Sequence, residues 1–214
     1  MSVTYVYVSS ILLAFLSSLI SFRLDLSYPL KLFSCLLGLT FLVELAAAVM
    51  EYTHISNFWL YNTFALLEFW IYGYYYMQLI RSPVVKRSLR IFLKVFPIFW
   101  TITLVVVFQL KTWNSYGIVA GSFFTVLFVL SYYADIIGDM SIRHLRTLPE
   151  FWIATGMLIF YLAAIPFFGA LNFLVKYHLE ASKILAKLIM MLDTLMYLFF
   201  TYAFLCKMIN IKKS

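Results

Sequence analysis

Charge is what this chain has least of. Of its 214 residues only 12% are Asp, Glu, Lys or Arg, while 64% are hydrophobic and 20% aromatic, with a mean hydropathy of +0.96. Soluble globular domains average about 25% charged and 45 to 50% apolar residues. That class is excluded, and an integral membrane protein is expected. Cysteine is scarce as well: Cys35 and Cys206 both fall within or at the end of apolar runs. A structural disulfide is not expected, and the redox compartment cannot be argued from them. The three histidines, His54, His144 and His178, lie between apolar stretches, and no two stand at an i, i+4 ligand spacing within one helix. No metal centre and no cofactor are predicted. The N-terminal segment lacks a basic leader region and a small-residue cleavage site, so it reads as a retained first helix.

What is abundant is long apolar stretches. Seven windows are long enough to cross a bilayer: residues 4–22, 28–50, 57–80, 88–110, 113–138, 148–174 and 183–206. Little chain lies between them, so residues 1–214 are read as a single membrane-embedded domain. Only helices and closed barrels satisfy their backbone groups in lipid, and runs of this length without strict alternation exclude the barrel. The expected fold is all-α, a polytopic bundle of seven transmembrane helices.

Orientation follows from the sixteen basic residues. Twelve collect on one side: Arg23, Lys31, the five between Arg81 and Lys94, Arg143, Arg146, Lys207, Lys212 and Lys213. Lys111, Lys176, Lys183 and Lys187 fall on the other. The positive-inside rule then places the N-terminus outside and the C-terminus in the cytoplasm, in a plasma membrane or bacterial inner membrane. The formal charge of +7 forms no continuous basic face, so nucleic acid is not an expected partner. The bilayer is, and the segment Arg81–Arg90 reads as a basic loop for anionic lipid or for a cytoplasmic protein.

Local signals fix some boundaries. Thr147, Pro149 and Glu150 have capping-box spacing with Pro in the first turn, which starts a helix there. Ser82-Pro83 ends the third helix. Pro97 and Pro166 remove backbone donors and should bend their helices. Gly117 and Gly121 permit close helix approach, with internal packing favoured over a dimer. Tyrosines and tryptophans, Tyr7, Tyr75, Tyr76 and Tyr132 among them, read as interfacial belts. Asp135 and Asp139, at a helix C-terminus, are expected to pair with Arg143 or Arg146.

The residues that carry chemical information are acids inside apolar helices. Glu68 lies roughly 16 Å below Asn57, near the middle of a hydrocarbon layer about 30 Å thick. Asp193 lies about 15 Å beyond Lys183, and Glu44 roughly 9 Å inside the end of its helix. Tyr72 follows Glu68 by four residues and Tyr197 follows Asp193 by four, so each pair shares a helix face and two similar half-sites could face each other. Such carboxyls are protonated, share a proton, or are neutralised by a bound cation or cationic ligand. Lys187 is too distant along its own helix, although Glu44 could reach it across helices.

Glu68, Asp193, Glu44, Asn62, Tyr72 and Tyr197 are therefore the candidate site for a proton, a cation or a small polar ligand. The alternative is that the acids are protonated interhelical glue bonded to Tyr or Asn. Asn172 reads as the cap of its helix. No lysine has the surroundings of a retinal Schiff base, and no intramembrane protease motif or set of membrane histidines is present. A transporter-like role is favoured over a receptor or sensor subunit that signals through a cytoplasmic partner, and both over an intramembrane hydrolase.

Overall fold

A computed structural model describes residues 2–108, 112–138 and 145–211, and every regular element among them is helical. Helices α1 (Ser2–Ser18) and α2 (Ile20–Arg23) run on as nearly one rod. They are followed by α3 (Tyr28–Tyr52), α4 (Phe58–Leu79), α5 (Pro83–Ile102), α6 (Ser115–Gly138), α7 (Pro149–Tyr177) and α8 (Leu179–Ile211). Asp139, Arg143, His144, Lys111, Lys212 and Lys213 lie outside the described residues.

Six spans are long and apolar enough to cross a membrane: Val3–Arg23, Tyr28–Tyr52, Pro83–Val107, Ser115–Ile137, Pro149–Tyr177 and Leu179–Cys206. That is the signature of a membrane protein. The remaining expected span, residues 57–80, corresponds to α4, which is not among these six. This helix has 22 residues, but Tyr61, Asn62, Glu68, Gln78 and the run Tyr74-Tyr75-Tyr76 lower its hydropathy below that of its neighbours. Its polar atoms are turned inward: Asn62, Tyr72, Tyr75 and Tyr76 are each no more than 1% exposed. Packed against α3, α5 and α6, α4 brings the centre of the bundle its polar groups.

The core is aromatic. Phe33 of α3 meets Tyr72, Tyr75 and Phe200 at centroid separations of 6.3, 5.3 and 5.0 Å. Phe69 meets Phe96, Trp100 and Tyr161 at 5.9, 6.1 and 5.7 Å. These tilted and edge-on contacts suit ring quadrupoles. They also relocate Tyr7, Tyr75, Tyr76 and Tyr132, expected in interfacial belts, to the buried interior. Tyr5, Tyr28, Tyr52, Trp59 and Tyr116 are exposed, as belt residues should be.

The prolines and glycines have specific partners. Pro97 has no N–H, which frees the Leu93 carbonyl from its helical bond. Trp70 of α4 donates its Nε1–H to that oxygen at 3.2 Å. Beyond Ile102 the helix widens into a π-helical turn, Thr103–Val107, with the Phe108 amide bonding the Thr103 carbonyl at 3.2 Å. A Cβ on Gly117 would stand 2.5 Å from Trp100, and one on Gly121 2.5 Å from Phe69. Both glycines therefore serve internal packing.

Helix starts differ from the expected boundaries in instructive ways. Pro83 opens α5, so most of the segment read as a basic loop forms its first turns, with Arg87 and Arg90 exposed. Asp135 Oδ2 accepts the Arg81 amide at 2.6 Å and the Ser82 amide at 3.4 Å, while its expected partner Arg143 lies outside the described residues. A carboxylate is thus placed at the start of α5, where the helix dipole favours it. Pro149 opens α7 as expected, with Leu148 rather than Thr147 at the N-cap. Asn172 does not cap α7, which continues to Tyr177; its Nδ2 donates to Ser115 Oγ at 3.0 Å.

Between α2 and α3, Lys31 pairs with the exposed Asp25, and that hydrogen bond together with the lysine charge holds the Asp25 carboxyl below its usual range. A surface pair of this kind contributes little to stability.

Candidate functional site

Three carboxyls from three helices line one cavity of about 160 Å³: Glu44 of α3, Glu68 of α4 and Asp193 of α8. Each helix is apolar around its acid, so the bundle turns the one polar face inward to avoid lipid. Tyr197 lines the same cavity, and Tyr72 joins it through its bond to Glu68. No Lys or Arg among the described residues does so.

The carboxyls are bonded differently. Both oxygens of Glu44 accept from tyrosines: Tyr7 of α1 donates to Oε1 at 2.9 Å and Tyr61 of α4 to Oε2 at 3.1 Å. It joins three helices, as the interhelical-glue alternative describes, and Lys187, exposed on α8, is not its partner. Glu68 accepts one bond, from Tyr72 Oη to Oε1 at 2.7 Å, the i, i+4 pair that its helix face predicts. That bond is within α4 and leaves Oε2 of this cavity-lining residue without a hydrogen bond among the described residues. Asp193 is flanked by Tyr7. The expected symmetry of two half-sites stops there, because the Tyr197 hydroxyl does not bond Asp193 and finds no hydrogen-bond partner among the described residues, although Tyr197 is only 4% exposed.

The upper wall is aromatic. Trp113, in the turn before α6, stacks on Tyr61 at 5.2 Å and contacts Phe168 at 6.4 Å. Asn62 is not among the residues lining the cavity; it builds this wall. Its Nδ2 donates to the Thr112 carbonyl at 2.9 Å and its Oδ1 accepts the Asn114 amide at 3.0 Å. Asn114 then donates to the Trp100 carbonyl at 3.1 Å and accepts the Gly117 amide at 3.1 Å, capping α6. Two buried asparagines thus hold the turn that presents Trp113.

Reading along single helices missed Tyr7, Tyr161 and Trp113 as cavity residues. Tyr7 does stand at i, i+4 and i, i+7 from Ile11 and Ala14, both wholly buried, and that stripe is the one signal that separates it from the exposed Tyr5. Among the described residues no group of three His, Cys, Asp or Glu converges as metal ligands would. Comparison with family models, with curated proteins and with solved structures finds no match to this chain.

Proposed function

We propose that this chain crosses its membrane seven times, N-terminus outside and C-terminus in the cytoplasm, and binds a cation or small polar ligand in the acidic cavity, as a transporter-like protein. The observation that carries the reading is the convergence of Glu44, Glu68 and Asp193 on one cavity lined by no basic side chain. Buried carboxyls without a cationic partner call for protons or a bound cation. A role for α4 as a seventh span is supported by its length: 22 residues rise about 33 Å, enough for the hydrocarbon layer. The connections 53–57 and 80–82 are too short to return the chain across that thickness.

Glu68→Gln is expected to remove the ligand response while leaving the yield of folded protein close to wild type, since the amide still accepts from Tyr72. Thermal unfolding of detergent-purified protein, titrated with inorganic and organic cations, measures this. Wild type and variant responding alike, both folded, would sink the proposal. For the topology, Ser82→Cys in a background lacking Cys35 and Cys206 should react with a membrane-impermeant thiol reagent only after permeabilisation. Labelling of intact cells would reverse the orientation.

A sensor is the second reading, favoured by the packing below Tyr72. There Phe33, Tyr75, Tyr76, Phe200 and Phe204 are all fully buried and fill the bundle. One-sided access suffices for sensing, whereas transport requires that half to open; uptake into proteoliposomes separates the two.

A further inference from the structure

The chemistry of the cavity wall selects among the cations. A divalent metal ion takes six or more oxygens at about 2.0 to 2.6 Å, and the described acids do not converge in that way. Aromatic rings line much of the remaining surface, Tyr61, Trp113 and Phe168 at one end and Phe69, Phe160 and Tyr161 along the side. A hydrated inorganic ion gains little from such walls. An organic cation gains apolar burial and attraction to the ring faces together.

The free polar atoms narrow the choice further. Tyr7 and Tyr61 occupy both oxygens of Glu44, and Tyr72 occupies Glu68 Oε1. The groups with the most accepting capacity left for a ligand are Glu68 Oε2, the Asp193 carboxyl and the hydroxyl of Tyr197, a residue 4% exposed and without a side-chain hydrogen bond among the described residues. That last group is independent of the acids: Tyr197 lines the cavity, so its hydroxyl is open to a ligand there. Three acceptors match the three donors of a primary ammonium group. Size sets the rest: an apolar cavity of about 150 Å³ holds benzene, so about 160 Å³ admits a ligand of roughly six heavy atoms.

We infer that the cavity is a site for a small primary alkyl- or arylammonium ion, its N–H donors on Glu68, Asp193 and Tyr197 and its carbon body against the Tyr61, Trp113 and Phe168 rings. This rests on the reading of the cavity as a cation site. Glu44 is a positioning residue in this arrangement. It fixes Tyr7 and Tyr61 around the ligand.

The test is calorimetric titration of the full-length purified protein with isobutylammonium, isobutanol, tetramethylammonium, sodium and magnesium. Isobutylammonium should bind at least about tenfold more tightly than the alcohol of the same shape, the ratio one charge-assisted hydrogen bond supplies. Asp193→Asn should abolish the difference, and Tyr197→Phe should weaken isobutylammonium several-fold while leaving isobutanol unchanged. If Asp193→Asn fails to fold, Tyr197→Phe, which keeps all three carboxyls, carries the comparison. Tetramethylammonium binding as tightly as isobutylammonium, or saturation by sodium or magnesium with no ammonium response, overturns this inference and leaves the cation site standing. No response to any cation overturns both.

Discussion

Gly156→Leu is expected to abolish the folded protein. Helices α7 and α8 approach so closely at this glycine that a Cβ would stand 2.9 Å from Phe199 Cβ and 3.2 Å from the Met196 carbonyl oxygen. Neither contact can be relieved by rotating a flexible side chain, because one neighbour is backbone and the other is fixed to it. Extra methylenes in a well-packed interior typically cost about 1 to 3 kcal/mol, which is the expected effect of Gly156→Ala. Leucine adds three more carbons against the same wall and should exceed that range, within reach of the roughly 5 to 15 kcal/mol that holds a typical protein folded. The damage falls on the α8 stretch that carries Asp193, Met196 and Tyr197, so any surviving protein should also lose the proposed cation response. Size-exclusion of a fluorescent fusion in detergent measures the first effect and thermal unfolding the graded one. A leucine variant with wild-type yield and Tm would show that α7 and α8 are not held at this distance.

Asn62→Leu should be the most damaging single change on α4. The asparagine is 1% exposed, and both ends of its amide are bonded to the turn before α6. Leucine fills a similar volume but leaves the Thr112 carbonyl and the Asn114 amide without their partner. Each buried group so stranded costs about 1 to 3 kcal/mol, giving about 2 to 6 kcal/mol in all. Asn62→Asp is the informative control: it keeps the acceptor for Asn114 and loses only the donor to Thr112, so its loss should be smaller unless the added charge dominates. The Tm difference between the two substitutions reads this. Equal, small losses below about 1 kcal/mol would mean that water already serves both groups.

These two positions show what the sequence can and cannot convey. Pro149 and the Glu68–Tyr72 pair were readable because the physics is local: a proline at N1 and an i, i+4 spacing need nothing from elsewhere in the chain. Tyr7 was not, because its partner Glu44 lies 37 positions away. Asn62 was placed in the binding site for the same reason in reverse: a buried amide near an acid invites a ligand, and only the turn 50 positions later shows that it is already satisfied. The bonds from the Arg81 and Ser82 amides to Asp135 likewise span more than 50 positions and leave no local trace. Tyrosine misled most often. The same amphipathic ring serves an interface at Tyr52 and the interior at Tyr76, and which it does depends on the helix face the bundle chooses.

On the proposed seven-span topology, the bond from Trp70 to the Leu93 carbonyl bears on how deep α4 sits in the bilayer. A tryptophan on a lipid-facing surface ordinarily seeks the headgroup level, where its N–H meets water while its ring stays in hydrocarbon. Trp70 is 39% exposed, yet its N–H is already spent on the carbonyl that Pro97 released. It is thus relieved of any pull towards the interface and sits at whatever depth the helix requires. The vertical register of α4, and with it the depth of Glu68, is left to Trp59 near one end and to the short connections that hold it to α3 and α5.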